Sequence, residues 1–244
     1  MNRGVGKMNK YRVIAEVGSN HGNDFKTAKQ FIKMAKRSGC SAVKFQWIDE
    51  GSVESTNNAG IFMPEAWIER LLEYGIMVGF PVFFSCFGDV DRKMLSLAHL
   101  GCKMMKFPFS QRHDIANIQQ ALLLFNEVFV STAPMDKWEL PEHDRLRVLY
   151  CHSFHGQPIY PVVEELNFQG LWGPSIFPTI DFDGLSSHCL DVGQVERAIK
   201  QGARVVEVHM KLEDTPLTIP DSRFSLLPHQ VERITYGRGV PYVC

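Results

Sequence analysis

The sequence has little of what marks the specialised protein classes. Its six cysteines, Cys40, Cys86, Cys102, Cys151, Cys189 and Cys244, include no CxxC pair. Four of them lie in apolar strand-like or helix-like surroundings, which reads as reduced, buried thiols and not as a disulfide framework. Charge of one sign is not in excess. Lys and Arg number 26, Asp and Glu 27, and they are well mixed. That balance argues against nucleic acid or an anionic membrane as an obligatory partner, and leaves room for a local basic pocket for a small anion. No apolar run approaches the roughly 20 residues of a membrane span. The opening stretch "MNRGVGKMNKYR" is polar and does not read as a signal peptide. GxGxxG, P-loop and GxSxG motifs, low-complexity tracts and linkers are all missing. What remains is the expectation of a soluble cytoplasmic protein of 244 residues, 45% hydrophobic, forming one domain over residues 1–244 with ample core.

What is present is alternation. Eight short apolar runs read as strands: Tyr11–Val17, Ala42–Gln46, Val82–Cys86, Lys103–Phe107, Glu127–Ser131, Arg147–Cys151, Phe182–Ser186 and Arg204–His209. Amphipathic segments lie between them. One starts at Asp24 as a plausible N-cap and stops at Gly39. Another opens with Pro64 and closes with Gly75. Others end at Gly101 and Gly202, "DIANIQQALLLF" follows the fourth strand, and "LPHQVERI" lies near the end. The helix between strands five and six is weak, and Phe154–Ile180 reads as a long Pro- and Gly-rich loop. Eight βα units in this length predict a (β/α)8 barrel, with a doubly wound open sheet as the alternative.

In a barrel, chemistry collects at the C-terminal ends of the strands. Those ends carry Glu16, then Lys44 with Gln46, Ser85, Lys106, Ser131 with Thr132, Cys151, Ser186 with Ser187 and His188, and finally His209. Lys44 in "AVKFQ" and Lys106 in "MMKF" stand within apolar strands, and alternation turns both into the barrel. Two inward cations suit a ligand carrying phosphate and carboxylate, with Ser85, Ser131 and Ser186 as added donors. The plainer reading pairs each lysine with a core glutamate such as Glu16. His188 and His209 on adjacent strand ends suit a shared metal, or two separately hydrogen-bonded structural histidines. Glu16, His21 and Asp221 are candidate further ligands or acid–base groups. His152 and His155 are weaker candidates, and His99, His113, His143 and His229 fall on surface patterns. Buried Cys86 and Cys151 are poor nucleophiles.

The ordered set of motifs resembles a known family. "IAEVGSNHGNDFKTAKQFIKMAKRSGCSAVKFQ" is similar to the opening of the sialic acid (N-acetylneuraminate) synthases. The likeness continues through "VFFSCF", "MMKF", "VFVSTA", "GLSSHCLD", "VVEVHMKLEDT" and "PDSRFSLLPHQVERI". The resemblance implies a (β/α)8 barrel that condenses phosphoenolpyruvate with an amino-sugar aldehyde to give a 2-keto acid. It implies a divalent metal, manganese first with magnesium or cobalt as alternatives, on His188 and His209. It implies catalytic roles for Glu16, Lys44, Lys106 and Asp221. Substrate contacts are expected from Asn20, Gln46, Ser85, Gln111, Ser131, Thr132, Ser153, His155 and Ser186.

The sequence departs from that family's pattern in places. Phe109 and Gln111 in "FPFSQ" stand where the family has a small hydroxyl residue and an acid. Ser187 stands for an aspartate, and His155 falls near a tyrosine position. The family's small C-terminal antifreeze-like domain has no counterpart before the chain stops at "GRGVPYVC". The resemblance therefore leaves three expectations: the family's synthase reaction, a related phosphoenolpyruvate-consuming reaction on another aldehyde, or a non-catalytic barrel within a complex. The sugar site is expected to be completed by a homodimer partner or by a separate protein.

Overall fold

The computed structural model describes residues 11–151 and 182–237. Eight parallel strands close into a barrel in sequence order. They are β1 (Arg12–Glu16), β2 (Ala42–Trp47), β3 (Val82–Cys86), β4 (Met104–Phe107), β5 (Glu127–Thr132), β6 (Leu146–Cys151), β7 (Gly184–Ser187) and β8 (Val205–His209). β1 pairs with β8 to seal the cylinder, which excludes the open doubly wound sheet. Each strand is buried on both faces, so the apolar runs are nearly continuous. Residues such as Phe45, Phe84, Val130 and Val208 face the helices, and the next residues along face the lumen.

The helices are α1 (Phe25–Arg37), α2 (Val53–Asn57), α3 (Glu65–Val78), α4 (Val90–His99), α5 (Ile115–Leu124), α6 (Val192–Lys200) and α7 (Pro228–Tyr236). Four start on an aspartate that satisfies free amides at the helix start. Asp24 accepts from the Lys26 and Thr27 amides, Asp89 from Arg92, Asp114 from Asn117 and Asp191 from Gly193. The helix opening at Pro64 does not end at Gly75, as its sequence suggests. It runs on to Val78 and is terminated by Gly79 at φ +63°. Gly75 is instead a packing glycine: a Cβ there would lie 2.6 Å from the Val82 side chain and 2.8 Å from the Phe80 carbonyl. The weak segment between β5 and β6 is a 3-10 turn, Pro134–Glu139. α2 has no counterpart in the sequence reading.

Lumen-facing residues form layers. At the N-terminal end Arg12 makes a two-pronged pair with Glu127 at 2.7 and 2.6 Å, and Arg147 joins at 3.1 Å. The middle is apolar, with Ile14, Phe83, Phe129 and Leu149 all buried. Phe83 and Phe129 stack at 5.5 Å, and burying each aromatic contributes roughly 1.5–3 kcal/mol. The C-terminal layer is polar and carries the site.

Candidate active site

Strand register brings the polar layer together. Glu16 lies beside Lys44 on one side and His209 on the other. Ser85 lies beside Lys106, and Ser186 beside Glu207. Because the barrel closes, β4 faces β8 across the lumen, and Lys106 reaches Glu207 in a short contact. Lys106 Nζ also donates to Ser186 Oγ at 3.0 Å, and that hydroxyl donates to Glu207 Oε1 at 3.0 Å. Lys44 pairs closely with Glu16, lies 3.9 Å from Glu207, and donates to Ser85 Oγ at 3.5 Å. All four ionic groups are buried, at most 3% exposed, so their desolvation must be offset by one another.

The four do not share charge evenly. Burial pushes Glu16 up to about 7, with Lys44 opposing and Glu207 reinforcing the rise. Burial also works against ionised Glu207, but Lys106 and Lys44 outweigh it and hold this carboxyl below the usual range. Lys44 loses to burial and gains more from Glu16 and Glu207, which keeps it charged. Glu207 is thus the fixed anion of the layer, and Glu16 is the group that can take up a proton near neutrality.

Above this layer two imidazoles converge. His188 follows β7 and His209 ends β8, with ring centres 4.9 Å apart. Phe224 packs edge-on against both, at 5.7 and 4.8 Å. Cys151 Sγ lies 3.8 Å from His188 Nδ1. Two imidazoles bound to one ion through nitrogens at about 2.1 Å would place their centres roughly 4.5–5 Å apart, so this pair fits a shared divalent cation. Among the described residues no third His, Cys, Asp or Glu gathers with them into a ligand cluster.

Ser187, next to His188, points away from the lumen, and its hydroxyl accepts from the Cys189 amide at 3.2 Å. It shapes the turn that presents His188.

The β1 loop explains "GSNHG". Residues Gly18–His21 form a 3-10 turn that docks on a second one, Pro220–Phe224. The Ser19 amide donates to Asp221 Oδ2 at 2.6 Å, and the Asp221 amide donates to Ser19 Oγ at 3.2 Å. Gly18 has φ +52°, and a Cβ there would sit 1.9 Å from Asp221 Oδ2 and 3.5 Å from His209 Cε1. Only glycine allows this approach. Asp221 is therefore carried to the edge of the histidine pair by a turn on the far side of the chain.

A cavity of about 350 Å³ opens over these groups. Of the residues singled out from the sequence, it brings together Glu16, Lys44, Gln46, Lys106, Ser131, Ser186, His188, His209 and Asp221. It does not bring in Asn20, Ser85, Gln111 or Thr132. Asn20 donates to the Met210 carbonyl at 2.9 Å and to Ser225 Oγ at 2.8 Å, holding the two loops together. Ser85 lies beneath Lys44. Gln111 donates to the Cys86 carbonyl at 2.8 Å. Thr132 follows Ser131 and so takes the opposite face, reaching the Ala133 carbonyl. His21 is also outside the cavity. It is buried and held low, at about 4, by desolvation, packing edge-on against Trp67. Ser153, His155 and the weaker candidate His152 lie outside the described residues. The thiols of Cys86 and Cys151 are pushed up by burial, Cys151 to about 11.

Sequence reasoning missed Glu207, the centre of the charge layer. It stands two residues before His209 in "VVEVH", and period-two alternation puts both on one face. It also missed Phe87, Glu54, Asn57 and Asn58, which line the mouth from the β3 and β2 loops.

Known proteins place this arrangement in context. The N,N'-diacetyllegionaminic acid synthase of Legionella pneumophila is 25% identical across 91% of this chain and 69% of its own length. The pseudaminic acid synthase of Campylobacter jejuni is 25% identical across 88% of this chain and 68% of its own. Among solved structures, the N-acetylneuraminic acid synthetase of Leptospira borgpetersenii superposes with a TM-score of 0.73 at 21% identity, covering 95% of this chain and 85% of that one. A truncated 3-deoxy-D-arabino-heptulosonate 7-phosphate synthase of Thermotoga maritima reaches 0.64 at 13%, covering 96% and 88%. At such identities the structural likeness speaks for the barrel fold alone. The family model described as the NeuB family matches residues 31–237, a span holding Lys44, Lys106, His188, Glu207, His209 and Asp221. With the greater part of its length matched, the chain belongs to the NeuB family.

Proposed function

We propose that the protein joins phosphoenolpyruvate to the aldehyde of an N-acylated amino sugar, giving a nonulosonic-type 2-keto acid and phosphate. The observation that carries this reading is the pairing, in one cavity, of two buried lysines with two converging histidines. Family membership and the named synthases among the relatives support it.

Lys44 and Lys106 hold the phosphate and carboxylate of phosphoenolpyruvate, with Ser131 and Ser186 donating hydroxyls. Both lysines carry carboxylate partners, so a trianion must displace some of that pairing. Glu16 yields most readily, because its proton affinity lies near neutrality. On taking up a proton it leaves Lys44 to the ligand. Glu207 keeps its charge and fixes Lys106 in the lumen. His188 and His209 would hold a divalent metal, manganese first with magnesium or cobalt as alternatives, which supplies Lewis-acid polarisation of the acceptor aldehyde. Asp221 stands ready to accept hydrogen bonds from acceptor hydroxyls. In the reaction, the C2=C3 π bond of phosphoenolpyruvate opens as C3 bonds to the aldehyde carbon, whose carbonyl π pair becomes an alkoxide; water then adds at C2, and the C2–O bond to phosphate breaks to leave the 2-keto group. Protonated Glu16 gives its proton to the new alkoxide and, once ionised, takes one proton from the added water, while the other departs with the phosphate.

The test is to incubate the protein with Mn²⁺, phosphoenolpyruvate and a panel of N-acylated hexosamines, following phosphate and 2-keto acid together. Matched release of both supports the reading. Phosphate release without keto acid, or neither product from any aldehyde, defeats it. Phe109 on the cavity wall favours a second version, in which the chemistry is kept and the acceptor differs.

A further inference from the structure

The ring of Phe224 serves neither the reacting groups nor the core. It is buried, 7% exposed, yet among the described residues it stands apart from the apolar core of the barrel and does not line the cavity. Its described aromatic neighbours are the two imidazoles. It meets His188 at 5.7 Å and 75°, and His209 at 4.8 Å and 77°. Both contacts are edge-to-face, with the positive rim of one ring against the negative face of the other. One side chain therefore touches both members of a pair that stands at the ends of β7 and β8.

The turn that carries Phe224 is fastened on both sides of it. Before it, Asp221 exchanges hydrogen bonds with Ser19, the Ser222 hydroxyl donates to the Ile219 carbonyl at 2.7 Å, and Lys211 Nζ donates to the Ser222 carbonyl at 2.9 Å. After it, the Ser225 hydroxyl donates to the Asp221 carbonyl at 2.6 Å. The Leu226 amide then donates to the His209 carbonyl at 2.7 Å, and the Lys211 amide donates to the Leu226 carbonyl at 2.9 Å. The chain leaving the turn thus runs alongside His209 itself. A ring held this firmly does not follow the imidazoles, and they must settle against it. Without it, each imidazole would sample several rotamers, and an arriving ion would have to order both.

We infer that Phe224 is a positioning residue for the histidine pair. Its ring fixes His188 and His209 in their converging arrangement before an ion arrives, and it keeps water from one flank of the pair. This rests on the metal site of the synthase reading and adds a part that the two ligand residues do not supply.

The test is direct binding of Mn²⁺ to the whole chain without substrates, read from the electron-spin-resonance signal of free Mn²⁺. The visible spectrum of the Co²⁺-loaded chain is the second readout, and metal-free chemical unfolding gives each variant's folded fraction. Phe224→Ala should weaken Mn²⁺ binding by about 10- to 100-fold, and its Co²⁺ bands should lose intensity as water joins the coordination. Phe224→Leu keeps apolar bulk without the ring and should show the same changes by a smaller factor. It decides the matter if Phe224→Ala does not fold. Leu71→Ala truncates a buried side chain on α3. It should lower stability and leave affinity and spectrum as in the wild type. Wild-type affinity and spectrum in folded Phe224→Leu overturn the inference and leave the synthase reading standing. An equal loss of affinity in Leu71→Ala also overturns it, because destabilisation alone then accounts for the effect. Weakened binding in the Phe224 variants, with no keto acid formed by the wild type, supports the inference and sinks the synthase reading. A wild type that takes up neither ion overturns the inference together with the metal's part in that reading.

Discussion

The two ends of the barrel carry charge clusters of nearly the same composition, and they are built for different ends. At the N-terminal end Arg12, Arg147 and Glu127 meet with good two-pronged geometry, and the arginines are 42% and 33% exposed. Water shares their solvation, so the cluster closes the barrel at small cost. At the C-terminal end Lys44, Lys106, Glu16 and Glu207 are buried, and a cavity with two histidines lies directly over them. Apolar residues of like volume would close that end at least as cheaply. A costly buried cluster directly under the histidine-lined cavity, set against a cheap water-exposed one at the other end, supports the proposal that a charged ligand is received at the C-terminal end.

The largest effects should come from breaking the buried end chemically. Replacing Lys106 by Met removes a donor aimed at the anion, and catalytic turnover should fall by about 10²–10³. His188→Ala and His209→Ala should lose at least as much and should also lower bound Mn²⁺, measured by metal analysis after dialysis. Full activity in any of the three breaks the assignment.

Next comes stability. Lys106→Met takes the closest cation from buried Glu207, leaving it Lys44 at 3.9 Å and the Ser186 hydroxyl, and should cost about 3–5 kcal/mol in chemical unfolding. The double change with Glu207→Gln should recover most of it. At the opposite end Glu127→Gln should cost about 1–2 kcal/mol and leave activity unchanged. Equal costs at the two ends would erase the comparison.

The finest contrast is in pH. Glu16 is raised by burial to about 7, so the folded chain holds a proton that the unfolded chain releases near its ordinary value. The stabilisation from that proton is full below the ordinary value and is lost as pH rises through about 7. Wild-type stability relative to Glu16→Gln should therefore decline from about pH 5 to about pH 8. A difference that is flat, or that grows with pH, contradicts the direction given for Glu16.

Much of this was legible in the sequence, because strand ends of a barrel converge whatever the rest of the chain does. Lys44, Lys106, His188 and His209 could be placed from "AVKFQ", "MMKF", "GLSSHC" and "VEVH" alone. Adjacent hydroxyl pairs were harder. Ser131 and Thr132 cannot both face the lumen, and neither can Ser186 and Ser187, so carrying alternation through would have separated them. The same step, taken two residues back from His209, would have found Glu207. Ser85 and Gln111 depend on strand tilt and on where a loop turns, and these emerge only when the barrel closes. Gly75 misled because a packing glycine and a helix-ending glycine look alike until the neighbouring strand is in place.

The most direct test of the central claim is the thermal unfolding of the wild type, Lys106→Met and Glu127→Gln with phosphoenolpyruvate and Mn²⁺. At a hundredfold excess over its dissociation constant, a ligand that binds the folded state adds about 2.7 kcal/mol. The account predicts that stabilisation in the wild type and in Glu127→Gln, larger with Mn²⁺ than without, and its loss in Lys106→Met. An unshifted wild type, or a shift that survives in Lys106→Met, would contradict it.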